Sequence, residues 1–203
     1  MFNNLNSDKQ TEIINAAIKE FVQSGFEKAS TNEIVKRANI SKGSLFNYFN
    51  SKKGLYAYLI EYSMQIIERI DEQIDLNEPD IFKRIEDIGL KKFHIQQKFP
   101  QVFDFLASTK QEESTKVKEI IKKKVEPVYE ESIDKMYEQI DYSMFREGVD
   151  IEKAIEILNW TMFGLGEKGL NQINTFENIS EFGEQYIEEW KSYAEILKYS
   201  LYK

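Results

Sequence analysis

Apolar residues recur every three or four positions along most of the 203-residue chain, and no run alternates convincingly with period two. That spacing is the mark of amphipathic helices and leaves no segment suited to a sheet. Three prolines and nine glycines are the only strong breakers, so polar caps decide most of the helix boundaries. Ser7-Asp8-Lys9-Gln10 predicts the start of a first helix with the stripe Ile14, Ala17, Ile18, Phe21 and Val22, ending at Gly25. Ser30-Thr31-Asn32-Glu33 opens a short second helix carrying Ile34, Val35 and Ala38. Asn39, a residue that tolerates left-handed backbone, turns the chain into a third helix capped by Ser41. Ser51 caps a long fourth helix running to about Leu76. Further helices are expected over about 80–97, from Pro100, over about 114–142 with a bend at Pro127, and over about 150–171 and 178–202. The expected fold is all-α, with about nine helices.

The third and fourth helices begin with a chemistry that a free helix disfavours. Lys42 stands in the first turn of one, and Lys52 and Lys53 in the first turn of the other, at the positive end of the dipole. Gly43 and Gly54 sit beside them, each costing about 1 kcal/mol relative to alanine within a helix. A DNA phosphate at each N-terminus removes the conflict, because backbone N–H groups, dipole and lysine then attract the same anion. Two short helices at 30–38 and 41–49 with a tight turn have the helix-turn-helix layout, whose second helix enters the major groove. Leu45 and Phe49 are expected to point inward, leaving Lys42, Gly43, Ser44, Phe46 and Asn47 to the groove. Charge agrees: residues 1–55 hold 8 basic and 5 acidic residues, whereas residues 56–203 hold 19 and 30, within a total of -8. The alternative for each lysine is a solvated surface charge.

"STNEIVKRANISKGSLFNYFNSKKGLY" (residues 30–56) resembles the N-terminal signature of the TetR family of bacterial transcriptional regulators. The similarity is specific over about residues 8–60. The resemblance implies a three-helix DNA-binding head at residues 1–50, joined by a long helix to a ligand-binding and dimerisation body at residues 51–203. It also implies phosphate contacts from Thr31, Tyr48 and Lys52, and base or groove contacts from Lys42, Gly43, Ser44 and Asn47. Phe46 stands where family members often have tyrosine, so only apolar contact, as with a thymine methyl, is expected there. Asn39 replaces a common glycine, and Gly54 a common acidic or polar residue.

In the body, Phe93, Phe103, Met136, Tyr137, Trp160 and Phe163 are the candidates to line a pocket for a small, mainly apolar effector; the alternative is ordinary core. The last two helices carry apolar stripes that include Ile155 and Met162 on one and Phe182, Tyr186, Trp190, Tyr193 and Leu197 on the other. In the resembled family such helices pair across a two-fold axis, so a homodimer is expected; the alternative is a hairpin core within one chain.

Other classes fare less well. No catalytic His/Cys/Asp set, no Glu-x-x-His pair and no glycine-rich phosphate loop occurs, so no enzyme, cofactor or metal site is expected, and His94 is the sole histidine. The absence of cysteine suits a reducing compartment. No run of 18 apolar residues occurs, and with no signal-peptide pattern the expectation is a cytoplasmic protein without a membrane partner. A protein-binding helical adaptor would share the amphipathic body but leaves the lysine-capped helix pair unexplained. The reading is a regulator that binds double-stranded operator DNA, as a repressor released by its effector, or a regulator without a small-molecule inducer.

Overall fold

The computed structural model describes residues 2–172 and 179–203, with side chains described for 2–168 and 185–203. All the regular elements among these residues are helical: α1 (Ser7–Lys28), α2 (Thr31–Arg37), α3 (Lys42–Phe49), α4 (Lys52–Asp71), α5 (Ile81–Lys98), α6 (Pro100–Thr109), α7 (Thr115–Lys124), α8 (Glu126–Tyr137), α9 (Ile151–Gln172) and α10 (Ile179–Leu201). Single 3-10 turns lie at Phe2–Asn4 and Tyr142–Met144.

Caps explain most starts. The side chains of Asn6, Ser30 and Ser41 accept from the backbone N–H groups of Lys9, Glu33 and Ser44, and Ser51 Oγ accepts from Gly54 N–H at 2.9 Å. The first cap is therefore one residue earlier than the sequence suggested. At Gly25 the backbone does leave helical geometry (φ 65°, ψ 169°), yet one more turn forms before the helix stops at Lys28. Helix α4 ends at Asp71, short of the expected Leu76, in turns closed by Gln73 N–H on Ile70 O and Ile74 N–H on Asp71 O. The single helix expected over 114–142 is two, α7 and α8. They part at Val125, and Pro127 falls in the first turn of α8, where its missing N–H has no intrahelical partner to lose.

The chain packs as two compact units, Met1–Arg69 with Lys98–Glu131, and Ile70–Gln97 with Ser132–Lys203. They are packing units, drawn differently from the division of roles at residue 50 suggested by the sequence. In the first, α1 lies against α2 and α6. Tyr56, 1% exposed, meets the rings of Phe21, Phe26 and Phe105 at 5.1–5.4 Å. The second unit closes around Phe82, Ile85, Met136, Leu158, Leu165, Trp190 and Tyr202. Its buried Arg84 guanidinium, 1% exposed, donates to the carbonyls of Leu76, Glu78, Met136 and Glu138, which fastens the α4–α5 connection to the end of α8. Its chain end is tied down as well: Asp80 accepts from Lys198 Nζ (2.7 Å) and Tyr202 O–H (3.1 Å).

Charge divides with the packing. The first unit holds 16 basic and 14 acidic residues, and the second 11 and 21.

Candidate nucleic-acid interface

Helix α3 has eight residues and buries only two, Leu45 (2% exposed) and Phe49 (7%). Being four apart they share one face, and Ile34 and Ala38 of the α2 region, which packs against α3, are buried as well. The opposite face is consequently turned outward. Lys42, Gly43 and Asn47 are exposed, Ser44, Phe46 and Tyr48 half-buried, and Thr31 at the start of α2 half-buried. The Ser44 hydroxyl is already 2.8 Å from Ser41 Oγ, which ties it to the cap. Asn39 adopts φ 46°, the left-handed turn for which asparagine suits the position.

The two glycines do different work. A Cβ on Gly43 would come no nearer than 3.7 Å to any group, so nothing in the fold requires glycine there. A Cβ on Gly54 would stand 2.0 Å from the carbonyl oxygen of Phe49. Gly54 thus permits the end of α3 to touch the start of α4.

The lysines divide as well. Lys52 Nζ donates to the carbonyls of Glu27 and Ala29, both at 3.0 Å, and lies 4.9 Å from the centre of the Phe26 ring. It holds the end of α1, where carbonyls lack partners, and keeps one N–H for another acceptor. Lys9 does likewise for α2, donating to Ala38 O at 2.8 Å. Lys42 and Lys53 are exposed. The buried Glu20 accepts from Ser30 N–H (2.9 Å) and pairs with Arg37 (3.4 Å), locking α2 onto α1. Sequence reasoning missed this carboxylate, whose signal was its place inside the apolar stripe of α1.

A second fastening joins α1 to the α6–α7 connection. Glu112 accepts from Phe26 N–H at 2.8 Å and from Ser114 N–H at 2.9 Å. Glu27 accepts from Ser114 O–H at 2.6 Å and pairs with Lys116 at 3.0 Å. Those two partners hold the Glu27 carboxyl below the ordinary carboxylate range.

The six pocket candidates divide between the two units and between core and surface. Phe103 is buried in the first unit and Phe93 is half-buried in the second. Met136 and Tyr137 belong to the core of the second unit, where Tyr137 O–H donates to Asn159 Oδ1 at 2.8 Å. Trp160 and Phe163 face outward, 68% and 50% exposed. His94 is exposed beside Phe93.

Among the dimer candidates, Trp190 is 2% exposed inside its own unit, and Met162, Tyr186 and Leu197 pack against the same core. Ile155 is half-buried and Tyr193 is 40% exposed; the Phe182 side chain lies outside the described residues. The outward apolar residues of α9 and α10 are instead Ile157, Trp160, Phe163, Tyr193, Ile196 and Tyr199. No helix among the described residues is long and apolar enough to cross a membrane.

Comparison with known proteins bears on both the head and the fold. Residues 13–59 match the sequence model of the bacterial regulatory proteins of the tetR family. YdgC, an HTH-type transcriptional regulator of Bacillus subtilis, is 32% identical over 82 residues, covering 38% of this chain and 42% of that protein. This chain therefore spans about two-fifths of that relative's length. A TetR family transcriptional regulator from Chloroflexus aurantiacus superimposes with a TM-score of 0.68 at 20% identity, over 100% of this chain and 97% of the other. The transcriptional regulator FadR from Bacillus subtilis, in complex with stearoyl-CoA, does so with a TM-score of 0.53 at 18% identity, over 89% and 96%. At these identities the structural likeness is one of fold. Residues 13–59 thus match the sequence model of the tetR family's head, and the chain as a whole has the fold of solved members of that family.

Proposed function

We propose that the chain is a sequence-specific DNA-binding transcriptional regulator, acting as a homodimeric repressor that a small, mainly apolar molecule releases from its operator. The observation that carries this reading is the outward face of α3, where exposed Lys42, Gly43 and Asn47 stand opposite buried Leu45 and Phe49. Lys42 adds charge to a helix N-terminus, Gly43 lets backbone approach a base edge, and Asn47 has the amide that pairs bidentately with adenine. Thr31, Tyr48 and the remaining N–H of Lys52 serve phosphates on either side.

A dimer follows from the symmetry of the operators such heads read, and α9 and α10 offer the surface. Lys168 pairs with Glu189, while Arg146, just before α9, donates to carbonyls at the end of α10, so the two helices run antiparallel. Trp160 and Ile157 then lie level with Ile196 and Tyr199. Gly164 has open space where a Cβ would stand, which suits close approach by a second copy. Apolar residues exposed on both helices at matching heights favour association over a solvated surface.

The effector is supported by kinship of fold with a regulator bound to stearoyl-CoA. A ligand lowers operator affinity only by binding the DNA-incompatible state more tightly. A regulator without small-molecule control is the second reading, favoured by the outward exposure of Trp160 and Phe163 among the pocket candidates. The test is selection of duplexes from a random-sequence pool, followed by titration of bound DNA with lipophilic compounds. A two-fold symmetric consensus supports the reading and an unenriched pool contradicts it; release by a compound separates the first reading from the second.

A further inference from the structure

Phe2 stands outside the helix-turn-helix, yet its ring packs against two residues of the last turn of α3. It is 6% exposed. Its ring lies 4.9 Å from that of Phe49, 5.7 Å from that of Tyr48, and 5.2 Å from that of Tyr58 on α4, the last two edge-on. Tyr48 and Phe49 are neighbours in α3, about 100° apart around the helix, so a ring that contacts both opposes rotation of the last turn of α3 as well as its displacement. The lead-in is itself held: Leu5 N–H donates to Phe2 O at 3.0 Å, Gln10 Nε2 donates to Leu5 O at 2.8 Å, and Asn6 caps α1. One ring therefore joins the lead-in, the end of α3 and the middle of α4. Beside it lies an open recess of about 260 Å³, lined by Phe2, Asn3, Tyr48, Phe49 and Tyr58. Without the Phe2 ring, Tyr48 would have room to turn.

We propose that Phe2 is a positioning residue for DNA recognition, holding the Tyr48 ring and the end of α3 in the setting from which the Tyr48 hydroxyl meets a DNA phosphate. This rests on the reading of the head as the DNA-binding element. An eight-residue helix has little intrinsic stability, and its setting is defined by what packs on it. Leu45 holds the first half; Phe49, backed by Phe2, holds the second.

The distinction from a plain core role lies in non-additivity. Affinity is measured for a duplex that the wild-type chain selects from a random pool, using Phe2→Leu, Tyr48→Phe and the double variant. Phe2→Leu keeps an apolar side chain of similar size and removes the ring; thermal melting of each variant checks that the head is folded. The expected result is about fivefold weaker binding for Phe2→Leu in the wild-type background and little further loss when the Tyr48 hydroxyl is already absent, as for two residues that act through one contact. Equal factors in both backgrounds, or unchanged affinity of Phe2→Leu, overturn the proposal while leaving the DNA-binding reading intact. A wild-type chain that binds no duplex overturns both.

Discussion

The ammonium of Lys52 and the carbonyl of Ala29 are joined by a 3.0 Å hydrogen bond that ties the first turn of α4 to the end of α1, 23 residues earlier. The same nitrogen also serves Glu27 O and covers the Phe26 ring. A residue that the family resemblance offers to a phosphate is thus also a structural tie. Lys52→Ala should lower the melting temperature as well as DNA affinity, with a stability loss of about 1 kcal/mol, since bonds from a charged donor are strong but this one is partly solvated. Thermal unfolding without DNA checks it: unchanged stability would assign Lys52 to the phosphate alone.

The glycine pair separates folding from recognition. Gly43→Ala should stabilise the free protein by up to about 1 kcal/mol, because alanine is the better helix former and the site is open, while weakening DNA binding by filling the space next to the groove. Gly54→Ala should destabilise by about 1–3 kcal/mol, because its methyl would meet Phe49 O at 2.0 Å. Denaturant melts and a mobility shift on both variants test the contrast.

Which of these features could be read in advance depends on how local their cause is. Ser30, Ser41 and Asn39 announced the helix pair because caps and left-handed turns are decided by neighbours in the chain. Gly54 stands out in the sequence only by its cost in a first turn, and its cause, the nearness of Phe49 O, is not legible there. The carbonyl partners of Lys52, the ring cage of Phe2 and the bonds from Glu112 join segments that only folding brings together. The spacing offers Trp160 as a pocket residue and Trp190 as a dimer residue, but α9 and α10 carry apolar residues on more than one face, so spacing alone does not say which face is core. The core from α5 and α8 buries one and leaves the other outside. At Pro127 a helix start was read as a bend, because proline is as acceptable in a first turn as it is disruptive in the middle.

Asp80 should govern the acid stability of the second unit. Burial works to raise its carboxyl, but the hydrogen bond and charge of Lys198, with the Phe82 N–H and Tyr202 hydroxyl, outweigh burial and hold it below the ordinary carboxylate value. A depressed folded-state value means the contribution is fully present above the unfolded value of about 4 and is lost as pH falls through the folded one. Asp80→Asn should cost about 2 kcal/mol at pH 7 and flatten the loss of stability below pH 4. Chemical denaturation at a series of pH values measures both; parallel curves for the two proteins would contradict it.

Self-association should respond to salt in the opposite sense from DNA binding. The second unit carries 11 basic against 21 acidic residues, so two copies repel and screening relieves them, whereas screening weakens phosphate contacts. Ile196→Glu, at a position 64% exposed, should give a folded monomer by light scattering, while Trp190→Glu, at a position 2% exposed, should unfold the chain. A wild-type chain that is monomeric at micromolar concentration would refute the dimer.

The most direct measurement is the affinity of wild-type and Lys42→Ala proteins for a selected duplex and for a scrambled one, across a range of salt concentrations. For the wild type, log affinity should fall linearly with log salt on both duplexes, with the selected duplex bound at least about 10³-fold more tightly. Lys42→Ala should shrink that ratio by changing which bases are preferred. A wild-type ratio near one, or no dependence on salt, would contradict a DNA-reading α3.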